Sequence, residues 1–166
     1  ASPWNGFCTV ADFYNQFDAA DKRRDMFLVG QQYSISGQPL KDKQIDKPLI
    51  FNPVVSKIQS SDGDFRMAGA RSIKYYPTAN TGGGMNNDFA VFRLADIILM
   101  KAEAQLRGGA GNPVATLNYQ SNGVSIRSRA GLADFASINL DDLLKERARE
   151  MAWEMLHNCN TCLLCS

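Results

Sequence analysis

Residues 92–109, FRLADIILMKAEAQLRGG, repeat apolar side chains at the period of about 3.6 residues that marks an amphipathic helix. Leu94, Ile97, Ile98 and Ala102 are expected on one face, while Ala95, Leu99, Ala102 and Ala104 leave room for a close helical neighbour. Glu103 and Arg107 stand one turn apart, the spacing of a helical ion pair, and Gly108-Gly109 ends the element.

The same period governs the chain on the C-terminal side. Asn112-Pro113 reads as an N-cap with proline at the first helical position, opening a short helix to about Tyr119. Gly123 interrupts, IRSRAGL follows at 126–132, and Gly131 stops that Arg-bearing segment. Asn139 then caps a last helix whose first turn carries Asp141 and Asp142, where the helix dipole favours negative charge. Leu140, Leu143, Leu144, Ala148, Met151 and Met155 predict a continuous apolar stripe along it, and Trp153 is expected in the core. Such faces need partners. Two antiparallel helical pairs packed as in tetratricopeptide repeats would bury them, although no clean 34-residue repeat is visible.

On the N-terminal side the period is lost. Thr9 and Asp12 suggest a weak capping box, and ADFYNQF a short helix with Phe13 and Phe17 on one face. Gly30, Gly37, Pro39, Pro48 and Pro53 punctuate the remainder, in which KPLIFNPVV and RSIKYYP are short enough to be extended stretches. Gly82, Gly83 and Gly84 make a loop rather than a phosphate cradle, lacking the Lys-Ser/Thr ending of a P-loop. The expected architecture is therefore mainly α: a helical, tetratricopeptide-like scaffold over 90–155, a loop-rich half with small extended elements over 1–89, and an atypical tail over 156–166.

With 166 residues and 45% apolar composition the chain is sized for one core. A net charge of +1 gives no field for nucleic acid or an anionic membrane surface. No apolar run reaches the roughly 20 residues of a spanning helix. The opening ASPWNGF lacks a Met, a basic region and an apolar region, which predicts a start inside a longer protein or after processing. Cys159, Cys162 and Cys165 have part of a metal-ligand spacing, but His157 is too close to Cys159 to be a convincing fourth ligand, so neither metal nor cofactor is expected.

Three segments, read in order, carry more than helix propensity. FRLADIILMKAEA, with Arg93, Asp96, Glu103 and Ala104, then IRSRAGL, with Arg127, Arg129, Ala130, Gly131 and Leu132, then KERAREMAWE, with Glu146, Arg147, Glu150 and Glu154, resemble the C-terminal signature of the SusD/RagB family. WNGFCTVADFYNQFDAADKRR is similar to an earlier internal segment of that family. Two departures are visible: Asn118 is set farther from Arg127 than the family pattern places it, and MLHNCNTCLLCS replaces the usual continuation. The resemblance implies a C-terminal piece of a lipoprotein at the outer membrane surface, in an αα-superhelical scaffold. It also implies non-enzymatic binding of an oligosaccharide for uptake through a SusC-like TonB-dependent transporter, without a cofactor, the lipid anchor lying outside this chain.

Within that reading, Trp4, Asn5, Tyr33, Tyr75 and Tyr76 are the candidate ligand residues. Their segments have loop character, an aromatic face can cover the C–H face of a sugar, and neighbouring amides can exchange hydrogen bonds with hydroxyls. The bland alternative for each is a loop anchor. Glu146, Glu150 and Glu154 lie on successive turns and could in distance alone serve glycoside hydrolysis. Their interleaving with arginine points instead to a structural ion network in which Arg127 or Arg129 meets Glu146 or Glu150. No nucleophile motif accompanies His157. Two competing readings are a peptide-binding relative in the same family and a helical protein-interaction scaffold without ligand capture; a glycan-cleaving enzyme is the third.

Overall fold

The computed structural model describes residues 7–56, 63–75 and 90–154, which divide into two compact units. Residues up to 15 together with 25–87 form the first; residues 16–24 together with 88 onward form the second. Residues 16–24, grouped by sequence with the N-terminal half, thus belong with the helices. Their side chains and backbone explain why: the Lys22 amide donates to the Ala130 carbonyl at 2.9 Å, and Arg23 reaches Glu146 at 2.8 Å.

The first unit contains α1 (Ala11–Tyr14) and six two-residue strands among the described residues. Here β1 (Phe27–Leu28) pairs antiparallel with β6 (Arg71–Ser72), β2 (Gly30–Gln31) with β5 (Ile50–Phe51), and β3 (Lys41–Asp42) with β4 (Lys47–Pro48). Single bridges at Thr9–Ala70 and Asn52–Ala68 extend the pairing. Phe27 anchors the unit, with the rings of Phe13 and Tyr14 standing edge-on to it at 6.5 and 5.9 Å. Gly69 is needed where it stands: its φ is +79°, and an added Cβ would lie 2.3 Å from Cys8 Sγ. The helix expected over ADFYNQF stops at Tyr14, so Phe13 and Phe17 do not share one helical face; both are buried.

The second unit contains α2 (Leu94–Leu106), α3 (Pro113–Leu117), α4 (Ile126–Arg129) and α5 (Leu140–Glu150). Each boundary has a local cause. Gly108, at φ +102°, and Gly109 close α2, with the Gly109 amide donating to the Ala104 carbonyl at 2.9 Å. Asn112 Oδ1 accepts from the Ala115 amide at 3.0 Å and caps α3, with Pro113 at its first position. Ser125 and Ser128 form a reciprocal capping box on α4, and Asn139 Oδ1 accepts the Asp142 amide at 2.8 Å to start α5. Ile98, Leu99, Ala102, Leu117, Ile126, Leu143 and Met151 form the buried core.

Three expectations about faces are corrected here. Leu94 and Ile97 of α2 are half exposed, because the inward face turns toward Asp96, Ile98, Leu99 and Ala102. On α5, Leu140 and Leu144 face solvent, and the inward positions go to Leu143, Glu146 and Glu150. Trp153 is 41% exposed rather than core: α5 ends at Glu150, and Trp153 adopts φ +61°, which turns the chain away from the helical face. Met155 and the cysteine tail lie outside the described residues.

Candidate functional site

Positions 146 and 150 stand four residues apart, which stacks them on one side of α5, and Glu154 follows just beyond the end of that helix. All three glutamates are buried, Glu146 completely. Burial of a carboxylate is costly unless partners surround it, and here they do. Glu146 receives Arg23 Nη1 at 2.8 Å, Arg149 Nη2 at 2.7 Å and Arg127 Nη1 at 3.3 Å. Glu150 receives Arg93 Nη1 at 2.6 Å, Arg129 Nη2 at 2.5 Å and Arg23 Nη1 at 3.0 Å. Arg93 also forks onto both oxygens of Glu154 at 2.8 and 3.0 Å, and Asp21 accepts from Arg23 Nη2 at 2.8 Å.

The result is a connected lattice of four carboxylates and five guanidiniums, flanked by a further pair in which Arg147 Nη2 donates to Asp96 at 2.5 Å. Arg93 stands at the residue just before α2, Arg127 and Arg129 sit on α4, and Arg23 comes from the 16–24 segment. The lattice therefore ties the start of α2, α4 and the 16–24 segment to α5. The sequence points to Arg127, Arg129, Glu146 and Glu150; Asp21, Arg23, Arg93, Arg149 and Glu154 were not foreseen as members. The run Asp21-Lys22-Arg23-Arg24 is the signal in the sequence, but no periodicity connects it to residues more than a hundred positions away.

The electrostatics oppose proton-transfer chemistry. Burial pushes the Glu146 carboxyl up, but Arg23 and Arg149 outweigh it and hold the group below the usual carboxylate range. Asp21 is treated alike: burial raises it, and the side-chain and backbone hydrogen bonds from Arg23 lower it further. Burial works against the charge of Arg93, yet Glu154 and Glu150 leave it more basic than an ordinary arginine. A glycosidase acid must hold a proton near neutral pH, whereas Glu146 is an ionised acceptor whose oxygens are committed to three arginines. This arrangement organises helices.

Of the ligand candidates, Tyr33 and Tyr75 are described and both belong to the first unit; Trp4, Asn5 and Tyr76 lie outside the described residues. Tyr33 bridges to Pro39 across a tight hairpin closed by the Ser34 amide to the Gln38 carbonyl at 2.8 Å. Gly37, at φ +77°, makes the turn possible, and Ser34 Oγ accepts from the Gln38 amide at 3.1 Å. Tyr33 is 61% exposed, in a hairpin that also carries Gln32, Ser34, Ser36 and Gln38. Tyr75 follows β6 and is 39% exposed, with Lys74 Nζ 5.9 Å from its ring centre. The two tyrosines stand on different elements. Each offers an aromatic surface on a hydrogen-bonded or cation-flanked support, chemistry suited to stacking on a sugar.

Among the described residues no group of three His, Cys, Asp or Glu is placed to hold a metal ion, and no helix is long and apolar enough to cross a membrane. The Cys159, Cys162, Cys165 and His157 spacing lies outside them.

No curated protein sequence matches this chain significantly. Among solved structures, it is similar to surface glycan-binding protein A from Bacteroides uniformis, with 27% identity and a TM-score of 0.53. The alignment takes in 85% of this chain but 26% of that one, so the chain spans about a quarter of the length of the protein it matches. A family model described as SusD family matches residues 8–157. That interval takes in nearly all of the chain and most of both units, from before α1 to beyond α5: the chain belongs to the SusD family.

Proposed function

We propose that this protein captures a glycan at the bacterial surface without altering it, acting with a SusC-like TonB-dependent transporter that takes the ligand across the outer membrane. The observation that carries the reading is the match, at 27% identity over 85% of the chain, to a surface glycan-binding protein. Membership in the SusD family adds the transporter partner, the lipid anchor and the outer-membrane location as implications of the family. In the same reading the helical unit is a length of αα superhelix of the tetratricopeptide kind. Trp4, Asn5, Tyr33, Tyr75 and Tyr76 supply the ligand contacts, and Arg127, Arg129, Glu146 and Glu150 hold the scaffold.

Binding without chemistry asks little of the site: an aromatic platform, a few hydrogen-bonding groups and release on demand. What supports the Tyr33 hairpin in this role is an exposed aromatic residue with the Ser34 and Ser36 hydroxyls in the same element. Calorimetric titration with a panel of oligosaccharides tests the reading. Saturable binding by at least one glycan is expected, and Tyr33→Ala or Tyr75→Ala should weaken it by about tenfold, corresponding to roughly 1–2 kcal/mol of stacking surface returned to water. Oligopeptides that bind where every glycan fails would transfer the assignment to the peptide-binding branch of the family.

A further inference from the structure

Asn122-Gly123 forms the tip of the tight turn that leads into α4. Asn122 at φ +54° and Gly123 at φ +79° supply the two left-handed residues of a two-residue loop. The Ser121 amide closes it onto the Val124 carbonyl at 3.0 Å, and the Val124 amide returns to the Ser121 carbonyl at 3.2 Å. Both tip residues are exposed, and a Cβ built on Gly123 would meet nothing within 4 Å. The Ser121–Val124 pair is an isolated bridge that belongs to no longer ladder, so the turn opens at little cost.

This combination lays a side-chain amide open to its own backbone. Neither the Asn122 side chain nor the Gly123 amide has a hydrogen-bond partner among the described residues, and glycine puts no side chain beside its nitrogen. Once the turn opens, the Gly123 nitrogen can add to Asn122 Cγ. The new C–N bond closes a cyclic imide as the Cγ–Nδ2 bond breaks, and the proton of the Gly123 amide leaves with the departing ammonia. Water then opens the imide at one of its carbonyls: at the side-chain carbonyl it yields aspartate, at the main-chain carbonyl isoaspartate, whose backbone runs through Cβ and Cγ. The other described asparagines lack this combination. Asn52 and Asn112 precede prolines, which have no N–H, Asn15 precedes the bulkier Gln16, and Asn118 and Asn139 hold their side chains in hydrogen bonds to Phe135 and Asp142.

We propose that Asn122 is a modification site that converts without an enzyme, losing ammonia and taking up water, to aspartate and isoaspartate, and that the isoaspartate form loosens α4. The extra backbone carbon enters just ahead of Ser125, whose hydroxyl accepts the Ser128 amide at 3.0 Å and whose amide donates to Ser128 Oγ at 2.7 Å. That cap holds the start of α4, which carries Arg127 to Glu146 and Arg129 to Glu150. The turn lies in the helical unit, so the proposal is independent of the glycan reading.

The full chain and a synthetic peptide of residues 119–126 are incubated side by side in mildly alkaline buffer. Mass-spectrometric peptide mapping, with chromatographic separation of the isomers, follows each asparagine. Asn122 in the folded chain should convert within about fivefold of the peptide's rate, as a freely opening turn allows, with isoaspartate among the products. In the fractionated isoaspartate form, hydrogen exchange at the Ser128 and Arg129 amides should be at least about tenfold faster than in the unmodified chain. Asn122→Asp adds the charge but keeps the backbone, and should exchange as the wild type does. The proposal is overturned if Asn122 is still an amide when the peptide has converted, if aspartate alone forms, if the isoaspartate form keeps α4 protected, or if Asn122→Asp loosens α4 as much. Conversion is read on the unaltered chain and needs no variant to fold.

Discussion

The two units solve the burial of charge in different ways. In the first, Asp42 is the buried acid and Arg66 meets it at 2.7 Å, one carboxylate with one guanidinium in a partly open setting. Cohesion there comes from rings around Phe27 and from backbone ladders only two residues long. The second unit buries Asp21, Glu146, Glu150 and Glu154 together and surrounds them with arginines from several elements. Buried ion pairs add little net stability over well-packed hydrocarbon, because desolvation offsets attraction, but a half-broken pair is expensive. The lattice thus fixes which helix faces meet, while the short-strand unit leaves aromatic rings on exposed turns.

The largest effect should come from breaking that lattice. Glu146→Ala takes one carboxylate from Arg23, Arg127 and Arg149, leaves three buried positive charges under-compensated and should cost about 3–5 kcal/mol. In a double-mutant cycle with Arg23→Ala, thermal melts should be non-additive by about 0.5–3 kcal/mol; simple addition would mean the pair is not coupled. In the other unit, Phe27→Ala removes the ring on which Phe13 and Tyr14 rest and should cost a similar 3–5 kcal/mol. Hydrogen exchange distinguishes the two changes. Protection should fall first around β1 and β6 for Phe27→Ala and first along α2, α4 and α5 for Glu146→Ala, and an identical loss throughout for both would erase the distinction.

Acid should act on both units, through Asp42 beside Arg66 in the first and through Glu146 and Asp21 together in the second. Glu146 and Asp21 have folded-state values below their unfolded ones, so their contribution is complete above the unfolded carboxylate range near pH 4 and is lost as pH falls through the folded values. Denaturant titrations from pH 7 to pH 3 should show stability flat to about pH 5 and then declining. The arginine shifts place their loss above any pH at which the protein would be handled. A stability that rises on acidification would contradict the ionised lattice. The smallest effect is local: Asn139→Ala removes the cap of α5 and should lower stability by about 1 kcal/mol, measured by the same titration at neutral pH.

The readable parts of this chain were those governed by local chemistry. Asn112, Pro113 and Asn139 mark helix starts because their side chains or rings act within three residues, and Gly108 marks an end because only glycine takes its backbone angle without strain. The arginines of IRSRAGL pointed toward the glutamates of the last helix through their alternation of charge, and the structure places Arg127 on Glu146 and Arg129 on Glu150. What periodicity could not convey was direction. On α5 it marked Leu140 and Leu144 as inward, but arginines from other elements made the glutamate face the buried one. Arg23 and the strand pairs were hidden for the same reason, since β1 and β6 are two residues each and meet across more than forty positions. The candidate ligand side chains rest on the weakest signal of all, an aromatic ring in a turn.

The proposed division between a scaffold of paired charges and a capture surface that performs no chemistry is tested most directly by the fate of the ligand. The full chain is incubated at neutral pH with each oligosaccharide that gives a saturable calorimetric isotherm, and the sugar is then recovered and sized by chromatography. The account predicts that every bound glycan returns at its original length, however long the incubation. Shorter products that form with the wild-type chain and disappear in Glu146→Gln would contradict it, placing chemistry on the carboxylates assigned here to the scaffold.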